Sequence, residues 1–408
     1  MPNFSLSKLT TGIAVVLLAF GLAACSNQAE TPVTSQIILS SPLSTSDAEW
    51  QNISGFDVYA EGSRLHAVFT ATSSDPKHPL IAYLHSEDGG LHWSLPQELS
   101  KQFTQAVESK IGNDIQIVAW QQRLMIVWQT TGEIPGMGPL TAIFSTDAGE
   151  RWQSGVNPVA SDNDQSHPEL VADTLGQFHM VWLDDRDENG YQGLRYARTA
   201  DAGQNWQAAQ TIDESSCSCC WNRMAITDNQ AINVLYRDMQ PRDMALAQST
   251  DAGDSWQRIS TVGDFNWRFD GCPHNGGGLS VYGNTLHSLI WTGVEQQVGL
   301  YYLRSLDAGT TWSQPQPIAA NTGAFHSDIA ARDDKKVAVI WDAAGANGSQ
   351  VFFSVSADNG EHWSAPQLLS TGNVAANPRL FATSKGWLAL WTEQQAQGQR
   401  LWLSAVIF

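Results

Sequence analysis

Four cysteines, three histidines and a few charged residues stand out by type and spacing. Cys217-Ser-Cys219-Cys220 and, further along, Asp270-Gly-Cys272-Pro-His274 put four thiols and an imidazole into two short segments. Thiols in this number either pair as disulfides or, as thiolates beside an imidazole, hold a soft ion such as Cu or Zn. Disulfides are the default in an oxidising compartment: Cys217 with Cys220 and Cys219 with Cys272, or a permutation, since four cysteines allow three pairings. The metal alternative takes Cys217, Cys219, Cys220, Cys272 and His274, with Met224 or Met244 near. A second group is polar: His167 with Glu169, Trp221 with Arg223, and His326 with Asp328, each pair two residues apart. On a strand, residues two apart share a face, so each pair points one way.

A recurring strand positions these pairs. Apolar runs end in an aromatic at Phe69, Trp128, Trp182, Tyr236, Trp291, Trp341 and Trp391, as in Leu124-Met-Ile-Val-Trp128 and Val337-Ala-Val-Ile-Trp341. Fifteen residues before each aromatic stand Ser54, Asn113, His167, Trp221, Gly276, His326 and Ala376. Thirteen before stand Phe56, Ile115, Glu169, Arg223, Gly278, Asp328 and Pro378. Gly276-Gly277-Gly278 leaves out side chains and permits close approach by a ligand or another backbone.

An eight-residue pattern recurs between these units: Ser86 to Trp93, Ser145 to Trp152, Thr199 to Trp206, Ser249 to Trp256, Ser305 to Trp312 and Ser356 to Trp363. Each reads Ser/Thr-x-Asp-x-Gly-x-x-Trp, with small shifts in the Gly position, and resembles the Asp-box, or BNR, repeat of the sialidase superfamily of β-propellers. The Asp residues of such a box are turn-formers rather than catalytic acids. Seven strand units against six boxes predict an all-β, seven-bladed propeller, with six blades as the alternative. The last unit ends at Phe408 before its outer strand, which Gln36-Ile-Ile-Leu39 is free to supply, joining both chain ends in one blade. The inner strand of each blade then lines a central channel. His167, Glu169, Arg223, His274, His326 and Asp328 become candidates for binding a small polar or glycan-type ligand at its mouth.

The resemblance implies three arginines for a sugar carboxylate, a Tyr-Glu nucleophile pair and an Asp acid/base. The Arg-Ile-Pro motif that carries the first arginine is absent, because Ser54-Gly-Phe-Asp-Val-Tyr59 stands in its place. Arg223, Arg237, Arg242 and Arg379 remain as carboxylate ligands, with Tyr236 as nucleophile beside Glu169, although Tyr236 occupies a core strand position. C-x-C-C, Tyr236-Arg-Asp238, Arg242-Asp243 and Asp-Gly-Cys-Pro-His are similar to a subgroup of Asp-box proteins that carry a sialidase label as a matter of fold. A binding propeller is therefore the first expectation, an exo-glycosidase the alternative, and a copper or zinc protein the third.

The 408 residues carry 22 Lys and Arg against 41 Asp and Glu, a formal charge of -19, which argues against a nucleic-acid partner. Residues 1–24 resemble a bacterial lipoprotein signal: Lys8, an apolar Ile13 to Phe20, then Leu22-Ala-Ala-Cys25. Cys25 is the expected lipidation site, 25–34 a linker, and 35–408 the propeller. Ser26 after the cysteine points to the outer membrane, with the lipid anchor as the membrane contact.

Overall fold

The computed structural model describes residues 36–43, 50, 52–72, 79–132, 137–158, 164–185, 192–320, 323–345, 348–372, 374–394 and 400–408. The signal, Cys25 and the linker lie outside the described residues. Among the described residues no helix is long and apolar enough to cross a membrane. Ser35–Phe408 clusters as one compact unit made of seven four-stranded antiparallel sheets. Each sheet is a blade whose second strand is sandwiched between neighbours, so that strand needs apolar residues on both faces. Arg123–Gln129 is buried from Leu124 onward, and Phe69, Trp128, Trp182, Tyr236 and Trp391 are all fully buried.

The ring closes as expected. Ile37–Ser40 pairs antiparallel with Arg400–Ile407, completing the sheet that also holds Ala375–Ala382 and Trp387–Gln394. The first and last parts of the chain thus share one blade, and no blade is left with an open edge where the ring meets itself.

The Asp-boxes staple blade to blade. In the box of blade four, Ser249 Oγ donates to Asp251 Oδ1 at 2.7 Å and accepts from Gly253 N at 2.8 Å, while Ser255 N donates to Asp251 Oδ1 at 2.9 Å. The turn takes two successive left-handed residues, Ala252 at φ 58° and Gly253 at φ 90°. Tyr196 of the preceding blade packs against it, with the Trp256 ring set edge-on to Tyr196 at 4.8 Å. Tyr196 is itself tied to His179 Nδ1 at 2.7 Å. Blades one and five repeat the pattern with His66–Tyr83 and His287–Tyr302. A Cβ on Gly253 would overlap the Tyr196 ring in a backbone conformation that L residues resist. Gly253→Ala is therefore expected to lower unfolding stability by about 2 kcal/mol or more in a denaturant titration.

Candidate functional site

The inner strands are Ile53–Glu61, Gln116–Trp120, Gln165–Ala172, Arg223–Ile226, Gly277–Tyr282, Gly323–Ala331 and Ala375–Ala382. Opposite the residue before each strand aromatic they place Asp57, Gln116, Glu169, Arg223, Gly277, Asp328 and Arg379. The fixed count back from the aromatic is thus right at Glu169, Arg223 and Asp328 and one residue off at Phe56, Ile115, Gly278 and Pro378. Turn parity explains the slip. The inner hairpins of blades three, four and six turn through 173–177, 227–231 and 332–336, odd numbers of residues. Those of blades one, two and seven turn through 62–63, 121–122 and 383–386, even numbers. One residue of parity exchanges the two faces of a strand.

These side chains form a charged layer across the channel. Arg379 Nη2 lies 3.1 Å from Asp57 Oδ1 and its Nε 3.4 Å from Asp328 Oδ2. Arg223 Nη1 lies 3.1 Å from Glu169 Oε2, and its Nε is 3.9 Å from Asp328 Oδ1. Backbone amides add to it: Ile117 N donates to Asp57 at 3.0 Å and Leu380 N to Asp328 at 3.1 Å. The Gln116 amide nitrogen, in the orientation that satisfies its neighbours, stands 3.3 Å from both Glu169 and Asp57. Asp114 joins from one side, accepting from Gly112 N at 3.1 Å and Asn377 Nδ2 at 3.3 Å. Burial raises three carboxyls against the pull of the arginines: Asp57 to about 6, Asp114 to about 6 and Glu169 to about 7. Arg379 is held above its ordinary range: burial alone would lower it, but Asp57, Asp328, Glu169 and Asp114 outweigh that. Both guanidiniums already have carboxylate partners, so a carboxylated sugar would meet no unpaired cation here.

Trp221 roofs the layer. Its indole Nε1 donates to Gly277 O at 3.1 Å, its ring lies over Gly276 and within 3.1 Å of a Cβ built on Gly112, and His326 packs at 5.9 Å. Gly276 thus makes room for the roof, while Gly277 and Gly278 lie against Leu235 and Ile329. Beneath it the space bordered by Trp221, Arg223, His326, Asn377 and Arg379 is about 10 Å³, room for a water-sized group. At the far end of the inner strands the channel widens to about 300 Å³ between Tyr59, Val171, Ile226, Val281 and Phe381.

The other candidates separate by position. His167 is buried beside the layer with φ 54°. Its amide donates to Asn113 Oδ1 at 2.7 Å, its Nδ1 pairs with Ser166 Oγ at 2.8 Å, and burial pushes its pKa down to about 3. The backbone amide of His167 ties blade three to blade two, while its neutral imidazole is bonded within its own strand. His326 stays half-buried at the mouth, its Nδ1 2.7 Å from Asp342 Oδ2. It belongs to an aromatic ridge that sequence reasoning missed: Trp267 meets Trp291 at 5.3 Å, Trp291 meets Phe325 at 5.4 Å, and Phe325 meets His326 at 4.8 Å. The Phe-His pair two residues before Asp328 was its visible signal.

The sialidase set does not assemble. Tyr236 is fully buried and donates to Asp213 at 2.7 Å. Arg237 spends its donors on the carbonyls of Asn275, Arg242 and Trp291, and Arg242 on Phe269 O and Cys217 Sγ. Both arginines fasten the loops of blades four and five.

Those loops bring the cysteines together. Cys217 and Cys220 form a disulfide, and Cys217 Sγ is 3.7 Å from Cys219 Sγ. Cys219 is a buried thiol, pushed up to about 12 by burial, and Cys272 is exposed. His274 stands with these two, not in the charged layer. Met224 and Met244, both of blade four, instead fill apolar clusters between blades three and four and between blades four and five, respectively.

Comparison with known proteins agrees with this architecture. A solved protein of unknown function from Dyadobacter fermentans superposes with TM-score 0.52 at 12% identity, covering 92% of this chain and 98% of its own. A polysaccharide lyase of family PL25, an ulvan lyase solved with -[GlcA(1-4)Rha3S]-, superposes with TM-score 0.58 at 11% identity over 87% of this chain and 94% of its own. An intramolecular trans-sialidase from Ruminococcus gnavus reaches TM-score 0.48 at 13% identity over 93% and 98%. Likeness at such identities is a likeness of fold. No curated protein matches the sequence. The BNR repeat-like domain model matches residues 33–269, more than half of the 408, and the chain belongs to that family of BNR, or Asp-box, repeat propellers.

Proposed function

We propose that the chain is an extracytoplasmic, lipid-anchored propeller that binds a neutral glycan over the channel mouth of blades four to six. The observation that supports this most is the ridge of part-exposed Trp291, Phe325 and His326, which continues into Trp221. Aromatic faces take the C–H side of a pyranose ring, and an imidazole fixed by Asp342 offers its other nitrogen to a hydroxyl. Trp221 covers the layer on the mouth side, so Glu169, Arg223 and Asp328 support the ridge from beneath, while on the opposite side they line the wider cavity; the His167 backbone acts as a brace. The neighbouring lyase structure holds an acidic, sulfated polymer. Here both channel arginines are paired, which favours an uncharged sugar.

Calorimetry on the lipid-free mature domain tests this, with neutral oligosaccharides of gluco, malto and chito type beside sialyllactose. A neutral sugar should bind saturably, and His326→Ala should weaken it at least tenfold. Preferential binding or hydrolysis of sialyllactose would replace this reading by the exo-glycosidase one.

A further inference from the structure

The thiol and imidazole donors of Cys219, Cys272 and His274 all lie within 4.8 Å of one another, on loops entering two adjacent blades. A soft ion with metal–sulfur bonds near 2.3 Å and metal–nitrogen bonds near 2.0 Å holds three trigonal ligands roughly 4 Å apart, so little movement is needed. The Cys217–Cys220 disulfide removes two of the five donors that the sequence offers and leaves this set of three.

The set is held from outside. Asn275 Nδ2 donates to Phe325 O at 2.8 Å, and its carbonyl accepts from Arg237 Nε at 2.7 Å, which fixes the residue after His274. On the other loop, Cys217 N donates to Arg237 O at 2.9 Å, and Arg242 Nη1 lies 3.3 Å from Cys217 Sγ. One guanidinium-bearing segment, 237–242, thus ties down both loops. Cys219 forms a buried floor, while Cys272 and His274 are exposed and leave a path for an ion to enter or exchange.

We propose that Cys219, Cys272 and His274 form a three-coordinate Cu(I) site at the rim of blades four and five. Two thiolates and one imidazole suit a soft monovalent ion that accepts low coordination, whereas Zn would need a fourth ligand. Binding is a ligand exchange without electron transfer: Cu(I) enters, two thiol protons leave, and His274 binds through a neutral ring nitrogen. The site is independent of the glycan reading.

The test is native mass spectrometry and thiol counting on the lipid-free mature domain, purified anaerobically, then titrated with Cu(I) against bicinchoninate. Two free thiols and one copper per chain are expected, the neutral mass rising by one copper less one hydrogen, as a monovalent ion bound by two thiolates requires. Cys272→Ser should abolish uptake, and His274→Ala should weaken it at least tenfold. Both residues are exposed, so the variants should keep the wild-type unfolding midpoint, which separates loss of a ligand from loss of fold. Four outcomes would each overturn the proposal: no free thiols, as a Cys219–Cys272 bridge would give; two thiols with no copper held against the chelator; retention of copper by Cys272→Ser; or stoichiometric zinc in preference to Cu(I).

Discussion

Replacing Arg379 by Ala should destabilise the fold by about 3–5 kcal/mol, the usual cost of breaking a buried ion pair from one side. Arg379 is buried and paired with Asp57 at 3.1 Å and Asp328 at 3.4 Å, so its removal strands two carboxylates inside the channel. Both side chains are buried and accept from the backbone amides of Ile117 and Leu380, so turning toward the wider cavity would break those bonds. Burial already raises the Asp57 carboxyl, and taking up a proton relieves it. The deficit should therefore shrink as pH falls toward 5, where a protonated Asp57 no longer needs the guanidinium. Denaturant unfolding of wild type and variant at pH 8 and pH 5 measures both effects; an equal loss at the two pH values would mean that the layer carries no such electrostatic cost.

The wild-type protein should show the related pH dependence. Asp57 and Asp114 at about 6 and Glu169 at about 7 all stand above the range near 4 that carboxyls have in an unfolded chain. The native state therefore binds more protons than the unfolded state between pH 4 and 7. The stability these groups contribute is fully present below about pH 4 and is lost as pH rises through 6 to 7. A tenfold difference in proton affinity between the folded and unfolded states is worth roughly 1.4 kcal/mol, so three such groups amount to a fall of several kcal/mol across that window. The box aspartates act oppositely: hydrogen bonds from Ser255 and Ser249 lower Asp251 to about 2, and His92 and Ser86 hold Asp88 down against its slight burial. Their contribution is present above pH 4 and is lost only in stronger acid. A chemical denaturation series from pH 3 to 8 should give its maximum near pH 4 to 5.

The propeller was legible because a box of eight residues with fixed chemistry repeats, and because both faces of each blade must be apolar. Ring closure by residues 37–40 followed from a missing strand at one end and a spare one at the other. The charged layer was half legible. Glu169, Arg223 and Asp328 came out by counting, while Asp57, Gln116 and Arg379 hid behind hairpin turns of different parity. Counting from the turns 62–63, 121–122 and 383–386 would have recovered them. The roles of His167 and Trp221 were not legible, since each depends on what the neighbouring blade presents: Asn113 to the first, Gly276 to the second. The cysteine cluster was placed correctly at one rim, because adjacent blades carry their entry loops side by side. Which thiols would bond and which stay free depends on distances of a few ångströms that spacing along the chain does not encode.

Histidine side-chain NMR tests the central claim most directly, following the imidazole resonances while the neutral oligosaccharide that binds tightest in calorimetry is added. His66, His179 and His287 are buried against tyrosines between blades and serve as internal controls, as do His92 and His362 on the exposed Asp-boxes. The account predicts a saturable shift of His326 with the controls unmoved. Binding that leaves His326 unchanged, or moves only the box histidines, would contradict a site at the channel mouth.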